Sequence, residues 1–444
     1  MSKNAKRWIA LAVLTTLLLT LVVAGQGLAM GSLMPKEQLG EFLYFDQNLS
    51  DCSLVEPGES CDPAGMSCAS CHLPEVGFDD PDSDLPVSEG VIHGRFGGRN
   101  SPASAYAMYA PIRYKDPVEG LYIGGQFWDS RATGEVLGDP LADQALGPFL
   151  NPVEMANPDK ATVVQDAMSG AYSGLFVQIC GEGSVDNAAY VNAAYDCIAL
   201  SIAAFERTDT FAQFNSKYDA YLQACLAKGV AADDCALGIG KQAEKVGKKI
   251  FTSEEWYGLQ LFMGDNNNDG IMAKGEGAMC AACHVATFTA AADNVIVPSW
   301  APQGMVPPVF TDFTYDNLGV PVNPEVYALA GGAPPDQGLG AVVGDPAEDG
   351  KFKVMTLRNI GLTAPYAHNG FFTRLKDITH FYNSRDRLPL CDVVNNPKPG
   401  KNCWPESEVP ATVNITELGN LGLSDKDEDA LVEFMKTLSD GYMP

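Results

Sequence analysis

The sequence is short of positive charge. It has 29 Lys and Arg residues against 56 Asp and Glu residues, so the formal net charge of the 444-residue chain is −27. A phosphate backbone is bound by a basic face, so this balance argues against nucleic-acid binding. It also disfavours an anionic membrane surface. It would suit a basic protein partner, although acidity also serves solubility alone.

Long apolar runs are missing beyond the N-terminus. There, three basic residues among the first seven precede an uncharged apolar run from Ile9 to Ala24, and Gly27-Leu-Ala29 supplies small residues for cleavage. A membrane span needs about 20 apolar residues. The pattern therefore predicts a cleaved signal peptide over residues 1–29, with a retained anchor as the alternative. We expect no membrane span after its removal, and a periplasmic protein, with the cell surface as a second location.

Strand signals are few and short, whereas helical signals dominate. Residues 186–249 are predicted to be mainly helical, and Thr252 with Glu255 forms a capping box ahead of another helix. Ser424 with Asp427 opens a last helix by the same pattern. Residues 298–349 are rich in Pro and Gly and read mostly as loop. The sequence therefore predicts a mainly α protein with long loops.

Cysteine is plentiful, and most of it occurs as close neighbours. Of the 12 cysteines, eight form near pairs: Cys52 with Cys61, Cys180 with Cys197, Cys225 with Cys235, and Cys391 with Cys403. An exported protein meets an oxidising compartment, where such pairs form disulfides. Adjacent pairing is the simplest of many connectivities, and it predicts four local disulfides.

Histidine is scarce, yet two of the five histidines complete a specific motif. The motif is Cys-x-x-Cys-His, at Cys68-Ala-Ser-Cys-His72 and at Cys280-Ala-Ala-Cys-His284. This is the attachment site of c-type haem, and one accidental match is expected on the order of 0.004 times per chain. Zinc would need a matching second ligand pair. We therefore expect two covalently bound haem c groups, with His72 and His284 as proximal iron ligands. The cysteines that would bond them are Cys68, Cys71, Cys280 and Cys283.

The segments ahead of the two motifs echo each other. Leu39-Gly-Glu-Phe-Leu-Tyr-Phe-Asp46 precedes the first motif, and Gly258-Leu-Gln-Leu-Phe-Met-Gly-Asp265 precedes the second. The echo predicts two tandem c-type cytochrome domains, which we place at residues 30–245 and 246–444.

Beyond these motifs, the sequence resembles the bacterial dihaem cytochrome c peroxidase/MauG family over nearly all of the mature chain. The segments that carry the resemblance are Phe42–Ser50, Gly98–Pro102, Phe127–Arg131, Gly147-Pro148, Asn151–Met155, Ala204–Thr208, Asn317–Pro321, Thr356–Ile360 and Thr363–Tyr366. The resemblance implies that the N-terminal haem reacts with hydrogen peroxide and that the C-terminal haem transfers electrons.

The resemblance also implies roles for particular residues. Gln144 and Glu154 match a pair that lines the distal pocket of the N-terminal haem, where Glu154 would move the proton that lets the O–O bond break. Trp128 matches the tryptophan that relays electrons between the two haems. Calcium would be bound by the Asn100 side chain and by the carbonyl groups of Thr363 and Pro365.

A second calcium loop is indicated by the residues alone. The segment from Asp265 to Glu276 fits the pattern D-x-[DN]-x-[DN]-G-x5-E in full, with Asp265, Asn267, Asp269 and Glu276 as oxygen donors. A solvated acidic turn is the alternative.

The segment after Thr-Ala-Pro-Tyr distinguishes ordinary peroxidases of the family from its MauG-like members. Ordinary peroxidases place a Met there as the ligand of the second haem, whereas Leu375–Asn383 contains none and has Tyr382 at the matching place, as in MauG. A phenolate is a hard anion that stabilises Fe(III), and a thioether favours Fe(II). His380 could ligate instead, since both side chains would share a face of an extended segment. Met355 and Met435 are expected in the core.

His93 supports the opposite conclusion. It resembles the loop histidine that, in ordinary peroxidases, blocks the first haem iron until the second haem is reduced. A loop residue without a ligand role is the equal alternative.

We therefore expect an exported dihaem oxidoreductase that uses hydrogen peroxide to oxidise an aromatic side chain on a protein partner through Trp128 and the second haem. The alternative is a cytochrome c peroxidase that takes electrons from a small cytochrome or cupredoxin. A pure electron carrier is a third hypothesis, which Gln144 and Glu154 disfavour.

Overall fold

The structure is a computed structural model that describes residues 33–82, 84–264 and 277–443. The expected signal peptide over residues 1–29 and the expected calcium ligands Asp265, Asn267, Asp269 and Glu276 lie outside the described residues.

The chain is mainly helical, as the sequence predicts. The α-helices are α1 Pro35–Phe45, α2 Cys68–Cys71, α3 Pro140–Ala145, α4 Lys160–Ser169, α5 Ser173–Cys180, α6 Ala188–Glu206, α7 Lys217–Leu226, α8 Ala232–Leu237, α9 Gly240–Ile250, α10 Ser253–Met263, α11 Pro324–Ala330, α12 Leu339–Val343, α13 Leu375–Ser384 and α14 Asp425–Lys436. Short 3-10 helices are Gln47–Leu49, Pro74–Val76, Ala107–Tyr109, Pro148–Leu150, Cys280–Ala282, Pro346–Glu348, Cys391–Val393 and Pro410–Thr412.

Strands pair only in short antiparallel ladders within the described ranges. They are β1 Tyr114–Lys115 with β2 Tyr122–Ile123, β3 Thr289–Ala290 with β4 Met305–Val306, and β5 Tyr315–Asp316 with β6 Phe352–Lys353. In the last pair Tyr315 lies opposite Lys353.

Local sequence signals fix several helix ends. The predicted capping boxes open α10 at Thr252 and α14 at Ser424, where each hydroxyl accepts a hydrogen bond from the backbone three residues on. Such a cap satisfies amide groups that have no partner within the helix. Both predicted helix starts are confirmed.

The four predicted disulfides are confirmed. Sulfur–sulfur bonds join Cys52 to Cys61, Cys180 to Cys197, Cys225 to Cys235, and Cys391 to Cys403. Four free cysteines remain, and all four belong to the two Cys-x-x-Cys-His motifs.

The sequence echo corresponds to two equivalent helix crossings. At Gly40 in α1, an added Cβ would overlap the carbonyl oxygen of Ser201 in α6, and at Gly258 in α10 it would overlap that of Ala430 in α14. Both glycines permit a backbone approach that a side chain would prevent. Each crossing packs the helix before a haem motif against a later helix of the same half.

The domain boundary at residues 245 and 246 stays a prediction. The hydrophobic core around the second motif already includes side chains from α7 to α9, such as Tyr218, Cys235 and Val246, and continues to Leu438 in the C-terminal segment. Residues 36–444 form one compact unit.

Helix α6 is long and apolar enough, by length and composition alone, to span a membrane. Half of its most apolar window is buried inside the protein, and its Cys197 is bonded to Cys180 in α5. These contacts are typical of the core helix of a globular protein.

Candidate functional site

The first motif is built on the short helix α2. The backbone amide of His72 donates to the carbonyl of Cys68 at 2.9 Å, which places the histidine directly at the C-terminal end of this helix. Its Nδ1 lies 3.3 Å from the carbonyl oxygen of Phe78. Burial lowers the pKa of His72. A neutral imidazole whose Nδ1–H donates to a carbonyl leaves Nε2 as a metal ligand.

The second motif repeats this arrangement. The amide of His284 donates to the carbonyl of Cys280 at 2.9 Å, and its Nδ1 lies 2.9 Å from the carbonyl oxygen of Phe310. Burial also lowers the pKa of His284. Both histidines are therefore held in the form that binds iron.

Each motif lines its own cavity, of about 520 Å³ for the first and 230 Å³ for the second. Burial raises the pKa of the thiols of Cys71, Cys280 and Cys283 to about 12, so these side chains stay protonated. Unpaired thiols beside a neutral histidine and an apolar cavity fit a covalently bound haem c at both places.

The wall of the first cavity holds the two predicted distal residues. Gln144 lies in α3, which Asp139 caps and Pro140 opens, and Glu154 follows on the next loop; both line the cavity with His72. Burial raises the pKa of Glu154, against an opposing hydrogen bond from Asn151 Nδ2 to Oε1 at 2.5 Å. A buried carboxyl with a raised pKa takes up a proton more readily than an exposed one, which suits it to proton transfer.

Trp128 lies on the walls of both cavities. Its Nε1 donates to the carbonyl of Asn100 at 2.8 Å, and its own carbonyl accepts from the amide of Lys353 at 2.9 Å. The first bond fixes the indole against Asn100, and the second ties the backbone of Trp128 to the C-terminal half of the chain. Its position between the cavities is suited to electron transfer between them.

Tyr382 lines the second cavity together with His284. The expectation of an extended segment is wrong, because these residues form α13. Residues two apart on an α-helix point about 200° apart, so Tyr382 and His380 occupy opposite faces. His380 Nδ1 instead lies 2.9 Å from Glu428 Oε1. Burial strongly raises the pKa of Tyr382, which disfavours a free phenolate in the absence of a cation.

The two methionines expected in the core both line the second cavity. The backbone of Met355 lies near His284 and raises its pKa, against the larger effect of burial. Met435 lies in α14, belongs to the surrounding hydrophobic core, and lines this cavity as a third methionine, Met279, also does.

The three predicted calcium ligands lie around the second cavity. Asn100, Thr363 and Pro365 all line it, and Asn100 Nδ2 donates to the carbonyl of Pro86 at 3.3 Å, which leaves its Oδ1 as an acceptor. The sequence reasoning missed Asp79, which lines the same cavity. Its buried Oδ1 has no hydrogen-bond partner in the part of the chain that the structure describes, and burial raises its pKa to about 8.

His93 lies outside the lining of the first cavity. Its side chain is 47% exposed, and Nδ1 is 3.6 Å from Glu89 Oε2. In this conformation the loop histidine does not enter the first cavity.

Two further charged residues escaped the sequence reasoning. Glu206 of α6 lines the first cavity, burial raises its pKa to about 8, and its Oε2 is unpartnered in the described ranges. Lys353 lines both cavities. Glu206 lies in Ala204–Thr208, one of the segments that resemble the family, but the resemblance assigned no role to this residue. No sequence signal marks Lys353, because its contacts are with residues that are distant in the sequence.

Comparison with known proteins agrees with this geometry. The sequence model of a family described as "Di-haem cytochrome c peroxidase" matches residues 34–225. The chain is 36% identical over 387 residues to the methylamine utilization protein MauG of Paracoccus denitrificans (strain Pd 1222), covering 85% of this chain and 84% of that protein. It is 26% identical over 343 residues to the cytochrome c551 peroxidase of Pseudomonas aeruginosa, covering 77% and 70%. The crystal structure of the diheme peroxidase BthA from Burkholderia thailandensis E264 superposes with a TM-score of 0.63 at 27% identity, covering 91% of this chain and 86% of that one.

Proposed function

Since this chain belongs to the dihaem cytochrome c peroxidase/MauG family, we propose that it uses hydrogen peroxide to oxidise an aromatic side chain on a protein partner. The family establishes a dihaem oxidoreductase that acts on peroxide. The electrons would come from the partner by way of the second haem and Trp128.

The observation that carries this proposal is the lining of the second cavity by Tyr382. A tyrosine oxygen as a haem ligand favours the oxidised iron, unlike the thioether of an electron-entry haem. The rival ligand His380 is engaged by Glu428, 2.9 Å away. An oxidised second haem suits an enzyme that draws electrons from an amino-acid side chain.

The chain's own residues would perform the following steps. His72 holds the haem whose iron, when bound, supplies the site at which peroxide accepts two electrons. Gln144 orients the peroxide from α3. Glu154 Oε takes the proton from one peroxide oxygen and delivers it to the other, so that the latter leaves as water. Trp128 passes the electrons between the two sites.

A cytochrome c peroxidase that takes electrons from a small cytochrome or cupredoxin is the second candidate. The observation that favours it is Met435, a thioether on the wall of the second cavity. In that function His93 would close the first site by a movement of its loop.

We extend the proposal to location and to calcium. The N-terminal pattern supports export to the periplasm or the cell surface, and the four disulfides agree with an oxidising compartment. Calcium would be bound by Asn100, Thr363 and Pro365, in a cavity that Asp79 also lines with an Oδ1 that has no hydrogen-bond partner among the described residues. Elemental analysis of the dialysed holoprotein would detect it, and absence of calcium would refute this site.

The test replaces the two rival ligands separately in the holoprotein. Tyr382→Met is expected to make the second haem easier to reduce in a spectroscopic redox titration, while Met435→Leu leaves its potential and spectrum unchanged. The reverse pattern, with only Met435→Leu altering that haem, would overturn the proposal in favour of the cytochrome c peroxidase.

A further inference from the structure

Lys353 occupies the wall between the two haem cavities. It ends strand β6 opposite Tyr315, and its backbone amide donates to the carbonyl of Trp128 at 2.9 Å. The residue is only 6% exposed and lines both cavities, as Trp128 does. A lysine is seldom buried to this extent without a charged partner.

The ammonium group contacts neutral groups in the described structure. Nζ donates to the carbonyl of Gly125 and, at 3.2 Å, to Gln126 Oε1, and it lies 5.7 Å from the ring centre of Phe313. An ammonium has three donors, so these two acceptors leave one hydrogen without an assigned partner.

Other cationic side chains of the protein, unlike Lys353, pair with carboxylates. Lys351, two residues earlier, pairs with Glu348 at 2.9 Å. The fully buried Arg358 pairs with Asp219 at 2.6 Å, and Arg99 pairs with Asp129 and Asp336. Lys353 is thus a buried cation that, among the residues described, lacks the carboxylate that the others have. Burial lowers its pKa to about 7, as expected for a cation without a counter-charge.

We infer that Lys353 binds a carboxylate at this wall, and that the carboxylate is a propionate of the haem held by His72. The propionates of haem are carboxylates that need cationic partners, and this acidic protein has few cations to pair with them. Gln126 and Phe313, which surround the ammonium end, line the first cavity and not the second. The charged end of Lys353 therefore faces the first haem site.

This contact has a consequence for electron transfer. A positive charge beside the first haem favours its reduced form, because reduction adds negative charge near the cation. The backbone amide of Lys353 also donates to the carbonyl of Trp128, so the cation and the backbone of the tryptophan are joined through one residue. The inference depends on the two haem sites and not on whether the enzyme oxidises a protein or a small redox donor.

The test measures the redox equilibrium of each haem in the holoprotein by spectroscopic titration. In Lys353→Met, the oxidised-to-reduced ratio of the first haem at a fixed potential is expected to rise about tenfold. Lys353→Arg keeps the charge and should stay close to the wild type. Lys351→Gln removes a charge two residues earlier in the chain, outside the lining of both cavities, and should have no effect. An unchanged first haem in Lys353→Met, with full haem content, would overturn the inference.

Two wild-type measurements separate the sources of the carboxylate and do not depend on folding of a variant. If the bound anion came from solvent, the potential of the first haem would vary with added inorganic phosphate, and that result would contradict a propionate. The resonance Raman band of propionate bending should shift between H2O and D2O if the propionate accepts a hydrogen bond from an ammonium. An unshifted band would also refute the contact.

Discussion

At the residue scale, two buried carboxylic acids line the first cavity, and they differ in the chemistry that they are suited to perform. Glu154 lines this cavity together with Gln144, and burial raises the pKa of Glu154. Glu206 comes from α6, and its pKa lies at about 8. Only the first has the family-like spacing to a glutamine, which supports a role in proton transfer to peroxide.

Replacing Glu154 with Gln should lower peroxide turnover by about 100-fold or more, because the amide cannot move a proton between the peroxide oxygens. Steady-state kinetics of the holoprotein would measure the loss. Glu75→Gln, at an exposed position, is the matched control and should turn over normally. Unchanged turnover in Glu154→Gln would remove this carboxyl from the mechanism.

Glu206 should make stability depend on pH. Its folded pKa of about 8 lies above the ordinary value of 4.5. Between these values the folded chain binds more protons than the unfolded chain, so stability falls as pH rises through this window. The slope is at most about 1.4 kcal/mol per pH unit.

Thermal unfolding of the holoprotein at several pH values would test this contribution. Glu206→Gln carries no titrating group, so its melting temperature should fall less between pH 5 and pH 8 than that of the wild type. The exposed Glu75→Gln variant should follow the wild type. Parallel curves for Glu206→Gln and the wild type would contradict the assignment.

At the scale of elements, the two glycine crossings are the most specific packing features. An alanine Cβ at Gly258 would overlap the carbonyl of Ala430, so α10 and α14 would have to separate. Such overpacking costs about 1–3 kcal/mol, and occasionally more. Denaturant unfolding should show this loss for Gly258→Ala and a similar loss for Gly40→Ala.

Gly174 in α5 provides the control for these variants. Nothing lies within 4 Å of a Cβ added there, so Gly174→Ala should be neutral or slightly stabilising. Equal stability of Gly258→Ala and Gly174→Ala would show that the crossing is less tight than described.

Helix starts and disulfides could be predicted where the residues that determine them are close together in the sequence. The caps at Thr252 and Ser424 depend on residues three apart, and the disulfides join near neighbours. Helix α13 had a readable signal that the extended interpretation missed. Its cavity-lining residues are spaced at i, i+3, i+4 and i+7, which is the helical period: Leu375, Ile378, Thr379 and Tyr382.

At the scale of the whole molecule, the sequence predicts the cofactors but not the wall between them. Two Cys-x-x-Cys-His motifs suffice to expect two haems. The contacts of the wall join residues more than 200 positions apart, as in Arg99 with Asp336 and Lys353 with Gln126. A single sequence does not show such pairs, because nothing in the local pattern of either residue depends on the other.

The most direct test of the proposed function is to add stoichiometric hydrogen peroxide to the fully oxidised holoprotein and to follow its visible and near-infrared spectrum. With the first site open and Tyr382 at the second haem, a rapid and long-lived spectral change should appear without prior reduction. No change until one haem has been reduced would contradict the proposal, and would favour a cytochrome c peroxidase in which His93 closes the first site.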